Sequence, residues 1–317
     1  MIRTLFRSVD VPGEGEAHVR VTYLADPATL DDARLTGLVA AAAGPRRPIV
    51  IVIPGVNVPP DAYVGLTKAL APIATVVTYS LIGDLGPVGP GITPGIDLAA
   101  MAPGVVGTKP SATALAPLLG LVAELDESDL VLAGTLDLAN VVVAGHSAGG
   151  TVALHNADPE WFPGLVAVVS FAGHTMTATS LGHEAASITA IPSELPTLLV
   201  GAGLDGVVAA SADRYGVSGD EHNPVGRTFT DGVVADHGDT WYVRLADATH
   251  FCICDPADEL SGRAFLDPDD APDQAPIRHY LFDLIGAFVA AYTTAPNNTT
   301  TLETLVDHPV VGEWQRR

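Results

Sequence analysis

Asn140-Val141-Val142-Val143-Ala144-Gly145-His146-Ser147-Ala148-Gly149-Gly150 reads as a buried strand, a sharp turn and the opening of a helix, with one serine at the apex. The run from Val141 to Ala144 is short, apolar and β-branched, the composition of a strand covered on both faces. It ends in Gly145-His146-Ser147-Ala148-Gly149, a G-x-S-x-G pattern. At such an elbow the serine takes a strained backbone conformation and lifts its hydroxyl above the sheet. Strand and helix then approach so closely that only glycine fits on either side. The N–H of Ala148 and the positive end of the new helix face whatever carbonyl reaches the serine. Five residues alone are a common coincidence, and the strand before and helix after them give the pattern its weight.

Upstream, Pro48 to Ile53 is a second continuous apolar run, stopped by Pro54-Gly55-Val56-Asn57. Runs of this kind suit a parallel sheet covered on both faces. Helical spacing of Tyr63, Leu66 and Leu70 marks residues 61–71, and a strand is expected over 74–79. Between residues 83 and 95, glycine or proline stands at 83, 86, 87, 89, 90, 91, 94 and 95, so a long surface loop is expected there. The stripe Leu115, Leu118, Leu119, Val122 and Leu125 predicts a helix over 112–126. Nearer the start, alternation around Pro12-Gly13-Glu14-Gly15 predicts an antiparallel edge hairpin over residues 3–24. Residues 26–47 read as loop with an Ala-rich helix.

Downstream, strands are expected at 165–171, 197–200 and 240–245, with a polar, irregular insert at 209–239. Ile277, Leu281, Leu284, Ile285, Phe288, Val289 and Tyr292 form one strong final helix, opened by Pro276. The class is therefore α/β: a mostly parallel central sheet with helices on both faces and the N-terminal hairpin at its edge. A single domain is expected over residues 1–294, with its core at 48–292. Loop 81–110 and insert 209–239 lie near the elbow, and a C-terminal tail, 295–317, packs back on the body.

The 317 residues carry 15 basic and 37 acidic side chains, a net charge of −22, which argues against nucleic acid or an anionic membrane as partner. No apolar run reaches the roughly 18 residues of a membrane span. The first residues lack the long apolar segment of a secretory signal, so a cytoplasmic location is expected. Cys252 and Cys254 are too close in the chain for an unstrained disulfide and too few for a metal site, and read as reduced core residues. Neither a metal nor an organic cofactor is expected. The pattern leaves oligomeric state open.

A serine at an elbow is a poor nucleophile until a base takes its proton and a carboxylate orients that base. On a parallel sheet the acid and the histidine follow the serine in that order, each after a strand. Strand 197–200 leads to Asp205, and strand 240–245 leads to His250, so the expected triad is Ser147, Asp205 and His250. Rival acids are Asp231, Asp236, Asp239 and Asp247; rival histidines are His174, His183, His222 and His237. An oxyanion needs two converging N–H donors. Ala148 supplies one, and Val56, freed by the turn at Gly55, the other, with Asn57 second. His146 reads as packed beside the serine rather than catalytic. His174, Asn57 and Phe251, with His146, are the candidate substrate-binding residues.

The elbow, the Pro-Gly loop, Gly203-Leu204-Asp205 through Val208, and His250-Phe251-Cys252 together resemble the α/β-hydrolase superfamily. Within it the chain is most similar to the branch of chlorophyllases, dienelactone-hydrolase-like proteins and cutinase-type polyester hydrolases. That resemblance spans residues 48–292 and implies a carboxylesterase-type serine hydrolase, acting on small-molecule esters or on hydrophobic or polymeric ones. The chain departs from the branch in lacking a disulfide near the histidine and in its long interval from Asp205 to His250. It also has serine where dienelactone hydrolases proper use cysteine. An acyltransferase or thioesterase would use the same triad, and a non-catalytic binding protein would retain only the scaffold.

Overall fold

Strand β3 (Arg47–Ile53) follows two earlier strands, β1 (Ile2–Val11) and β2 (Gly15–Leu24). It sends Ile49, Ile51 and Ile53 into one apolar layer and Val50 and Val52 into the other. This two-sided burial explains why its sequence is continuously apolar rather than alternating. The computed structural model describes residues 1–217, 222–234, 238–257, 262–295 and 298–317. Asp236 and His237, two of the rivals for the triad, lie outside the described residues.

Helix α1 (Val64–Leu70), β4 (Thr75–Asp84), β5 (Pro90–Thr93), α2 (Leu115–Ser128), β6 (Leu136–His146), α3 (Ala148–His155) and β7 (Leu165–Phe171) follow in order. The chain continues through β8 (Thr197–Ala202), α4 (Gly206–Ala209), α5 (Pro224–Arg227), β9 (Thr240–Leu245), α6 (Gln274–Tyr292), α7 (Thr300–Leu305) and β10 (Val311–Arg316). Among the described residues, ten strands form one sheet in the order β1-β2-β4-β3-β6-β7-β8-β9-β10, with β5 paired to β4. The run from β4 to β9 is parallel throughout. The N-terminal hairpin joins it antiparallel, as its alternation predicts. Helices α2 and α3 cover one face, and α1, α6 and α7 the other. Fully burying side chains such as Leu281, Leu284 and Phe288 of α6 contributes about 1.5–3 kcal/mol each. No helix among the described residues is long and apolar enough to cross a membrane.

Two segments differ from expectation. Residues 83–95 are not an irregular loop but a hairpin: β4 runs on to Asp84 and pairs antiparallel with β5, from Leu81↔Thr93 to Asp84↔Pro90. Pairing on one side only tolerates Pro90, which has no N–H to offer, and Gly89 turns the chain with φ 79°. Residues 26–47 contain two short 3-10 turns, Pro27–Thr29 and Asp32–Arg34, and no α-helix. The alanines there are extended instead, with Ala41 bridged to Ala25. Gly44-Pro45 leaves too few residues for a stable helix, and Tyr23 Oη fixes the segment by donating to the Val39 carbonyl at 2.7 Å. The tail does pack back, and it does so as a strand: β10 pairs antiparallel with β9.

Candidate active site

The ends of β3, β6, β8 and β9 lie on one side of the sheet, because these strands are parallel and near neighbours. Ser147 caps α3 with φ 56° and ψ −124°, a conformation that L-residues avoid. The neighbouring contacts explain why it persists. A Cβ on Gly145 would lie 2.2 Å from the Gly149 carbonyl oxygen, and one on Gly149 would lie 2.2 Å from the Ile53 oxygen. The first turn of α3 is thus pressed against the end of β3. The same closeness puts a Gly55 Cβ 3.4 Å from Ser147 Cβ, so the Pro54-Gly55-Val56 loop borders the serine.

His250 and Asp205 are brought together. His250 Nδ1 lies 2.9 Å from both Asp205 Oδ1 and Oδ2, and the two side chains are only 2% and 7% exposed. Asp205 Oδ1 also accepts the Val208 N–H at 2.7 Å as the cap of α4, which fixes the carboxylate plane. Nε2 of His250 carries no hydrogen bond to a described residue. Ser147 Oγ likewise makes none, so no hydrogen bond joins the serine to the imidazole, and the two loops are linked instead through His146, whose Nε2 lies 3.1 Å from the His250 carbonyl oxygen. Serine–imidazole contacts are often long in ligand-free sites.

His146, immediately before the serine, is fully buried with both ring nitrogens engaged. Gly55 N–H donates to Tyr63 Oη at 3.0 Å, Tyr63 Oη lies 3.0 Å from His146 Nδ1, and His146 Nε2 lies 3.1 Å from the His250 carbonyl oxygen. One proton arrangement satisfies every member: the phenol donates to Nδ1 and Nε2–H donates to the carbonyl. Burial, followed by the neighbouring His250, holds the His146 pKa well below its ordinary value, which keeps the ring neutral. His146 therefore ties the loop after β3 to the loop after β9 and has no free nitrogen for a substrate. This corrects its place among the substrate-binding residues.

Asn57 is also used up. Its φ is 58°, its N–H donates to the Ile92 carbonyl at 2.9 Å, and its Oδ1 accepts the Ile92 N–H at 3.0 Å. It anchors the β4–β5 hairpin beside the site and is not available as an oxyanion donor. Neither the Val56 nor the Ala148 N–H donates to a described residue, so both remain free. Phe251 is partly exposed, and its ring stands edge-on to His250 at 5.1 Å and to His146 at 5.8 Å. His174 is 5% exposed in the loop after β7, packed against Tyr215 rather than a triad member.

The remaining rivals are placed elsewhere. Asp231 pairs with Arg227, Asp239 accepts from Tyr292 Oη, Asp247 is exposed, and His183 Nε2 lies 2.7 Å from the Met101 carbonyl oxygen. His222 stacks on Tyr215. Cys252 and Cys254 are buried and in no disulfide, and burial pushes Cys252 up to about 12, so it is unreactive.

Two participants escape sequence reading. Tyr63 is the bridging phenol, although its helical spacing identifies it only as a core residue. Asp267 is a second carboxylate behind the pair: Oδ1 accepts the N–H groups of Gly206 and His250, each at 3.2 Å, and Oδ2 accepts that of Phe251 at 3.2 Å. Burial raises its pKa against those donors, and the nearby Asp205 charge adds to the rise. Asp267 clamps the acid-bearing loop to the base-bearing loop. Its place in the acidic stretch 267–273, beside Asp269, Asp270 and Asp273, hides it. No known protein-family model matches the chain, and no curated protein matches it in sequence.

Proposed function

We propose that the chain is a serine carboxylic-ester hydrolase with an α/β-hydrolase fold. The observation that carries this reading is Ser147 held at φ 56° on a strand-to-helix turn, with the preceding His146 bonded to the carbonyl of His250, whose buried ring pairs with Asp205 at 2.9 Å. A backbone strained by about 1–3 kcal/mol persists where function requires it. A buried imidazole bonded through Nδ1 to a carboxylate is fixed in the tautomer that leaves Nε2 free to accept a proton.

In the proposed reaction Ser147 Oγ rotates towards His250 Nε2, gives up its proton there and attacks the ester carbonyl. Asp205 holds the imidazole and stabilises its cation. The free N–H groups of Val56 and Ala148 bind the oxyanion in the tetrahedral intermediate, which lowers the barrier by several kcal/mol where water is excluded. His250 then protonates the departing alkoxide. A water molecule deprotonated by His250 attacks the acyl-serine, and collapse of the second intermediate releases the acid and restores Ser147. Every proton passes through Nε2, so the reaction requires only groups of this chain and water.

The test is turnover of short p-nitrophenyl esters. Ser147→Ala abolishes it while leaving far-UV circular dichroism unchanged; retained turnover overturns the assignment. Added alcohol in the same assay reports the acceptor: acid alone as product supports a hydrolase, and a new ester as main product replaces it with an acyltransferase.

A further inference from the structure

Gly55 occupies the tightest point of the loop after β3. A Cβ there would lie 3.2 Å from His146 Nδ1 and 3.4 Å from Ser147 Cβ, so the position is held without a side chain. Glycine is also the residue whose backbone turns most freely, and such freedom is a fault next to an oxyanion donor. The structure removes it from two sides. Tyr63 Oη accepts the Gly55 N–H at 3.0 Å, and the Gly55 carbonyl accepts the Val58 N–H at 3.2 Å. Across a trans peptide the carbonyl and the following N–H point opposite ways, so the second bond turns the Val56 N–H away from Val58. Gly55 is buried, and the phenol is what satisfies its donor.

Tyr63 is itself fixed at its backbone and at its hydroxyl. It closes the 3-10 turn Pro60–Tyr63 and is 1% exposed. The carbonyl of the preceding Ala62 accepts the Asp255 N–H at 2.7 Å, and the Gly65 N–H donates to the Asp255 carbonyl at 2.8 Å. The turn is thus docked on the segment that follows His250. Its hydroxyl donates to His146 Nδ1 at 3.0 Å, and His146 Nε2 donates to the His250 carbonyl at 3.1 Å. The N–H of His250 is held separately, by Asp267 Oδ1 at 3.2 Å. The backbone of the base is therefore gripped at its N–H by a carboxylate and at its carbonyl by a line that ends on the oxyanion loop. A phenol suits the middle of that line because one oxygen both accepts and donates. Burial raises its pKa well above the ordinary value, so it keeps the hydrogen that Nδ1 requires.

We propose that Tyr63 is a positioning residue for catalysis: its hydroxyl fixes the Gly55 peptide that precedes the Val56 oxyanion donor and, through His146, sets that donor in register with His250. The role rests on the ester-hydrolase reading. Tyr63 touches no reacting atom. It acts by denying the oxyanion donor and the base independent movement. Its effect therefore falls on the transition state, where the carbonyl oxygen gains charge as the serine proton moves to the imidazole. The bound ester before attack gains little from either contact, so KM is spared while kcat depends on the hydroxyl.

The experiment compares Tyr63→Phe with Tyr23→Phe, which removes another buried phenol hydroxyl, the one bonded to the Val39 carbonyl. Active sites are counted by the p-nitrophenol burst with diethyl p-nitrophenyl phosphate, and kcat on p-nitrophenyl butyrate is taken per site. In Tyr63→Phe kcat falls about 10- to 100-fold with KM within about twofold. The Ki of butylboronic acid, which forms a tetrahedral adduct on Ser147, rises by the factor that kcat/KM loses. Tyr23→Phe lowers the melting temperature and leaves kcat, KM and Ki unchanged. His146→Gln closes a double-mutant cycle: on one line the double variant is no slower than the slower single one, whereas losses that multiply overturn the coupling. Nitrogen NMR of the ring resonances lost in His146→Gln reads the line without turnover. It shows hydrogen on Nε2 in wild type and Tyr23→Phe, and a displaced Nδ1 signal in Tyr63→Phe. The wild-type spectrum tests the line even where Tyr63→Phe fails to fold. Hydrogen on Nδ1 in wild type, an unchanged kcat and Ki in Tyr63→Phe, or an equal loss in Tyr23→Phe overturns the proposal. If the hydrogen is on Nε2 and wild type cleaves no ester, the line of bonds stands, and the ester-hydrolase reading fails and takes the kinetic role with it.

Discussion

Replacing Asp267 by alanine removes the acceptor for three backbone N–H groups, those of Gly206, His250 and Phe251, all at 3.2 Å. A hydrogen bond to a charged acceptor contributes about 1.5–3 kcal/mol, and at this length about 1 kcal/mol each is reasonable, roughly 3 kcal/mol in all. The carboxylate is itself buried at a cost, visible in its raised pKa, which offsets about 1 kcal/mol and leaves a net loss of about 2 kcal/mol. For a chain of 317 residues that corresponds to a fall in Tm of about 3 °C. Two of the three donors sit on the His250 loop and one on the Asp205 loop, so the imidazole also loses its registry with the acid. Displacement of a catalytic group by about 1 Å costs up to 100-fold, and kcat on p-nitrophenyl acetate should fall about 10- to 100-fold with little change in KM. The pH dependence has a definite sign. A carboxyl whose pKa is raised on folding contributes stability that is full below its unfolded pKa and lost as pH rises through the folded value. The gap in stability between wild type and variant is therefore largest in acid and narrows towards neutrality. Thermal melts across pH and steady-state kinetics check both, with Asp269→Ala, an exposed neighbour, as control. An unchanged Tm and kcat, or an equal loss in the control, refutes the clamp.

Ser147→Gly relieves the φ 56° strain, so it should raise the melting temperature by the equivalent of about 1 kcal/mol while abolishing turnover; a lower Tm argues against stored strain. Gly149→Ala forces a Cβ to 2.2 Å from the Ile53 oxygen and 2.5 Å from the Pro54 oxygen, both backbone atoms, and should cost at least about 3 kcal/mol or prevent folding. Normal yield and a normal melt would mean that the elbow is looser than described. Asp205→Asn should slow ester hydrolysis by roughly 10⁴ with the fold retained; a near-normal rate moves the orienting role to another acid.

The parallel strands were legible because each is buried on both faces, and that environment writes itself into sequence as an unbroken Val, Ile and Leu run. The order of serine, acid and histidine was legible for a related reason: each stands after such a run. Where backbone pairing rather than side-chain burial makes the structure, the sequence is mute. The hairpin at 81–93 is held by strand-to-strand hydrogen bonds that Gly91 and Thr93 make as well as any residue, and Gly/Pro density gives the opposite impression. Asp267 is hidden likewise, since its partners are N–H groups that every residue except proline possesses. His146 was readable as packed, but its two bonds join segments 83 and 104 residues away in the chain, a relation no local pattern encodes.

That pair of bonds bears on how the molecule breathes. Gly55, Tyr63, His146 and the His250 carbonyl form one unbroken line of donors and acceptors, so opening any link strands a polar group away from water. The loops after β3, β6 and β9 should then loosen as a single cooperative unit, and the amides of Gly55 and His250 should exchange with solvent deuterium at matched rates, set by one shared opening event. An arrangement with Ser147 in place and His250 adrift is one that this line of bonds disfavours.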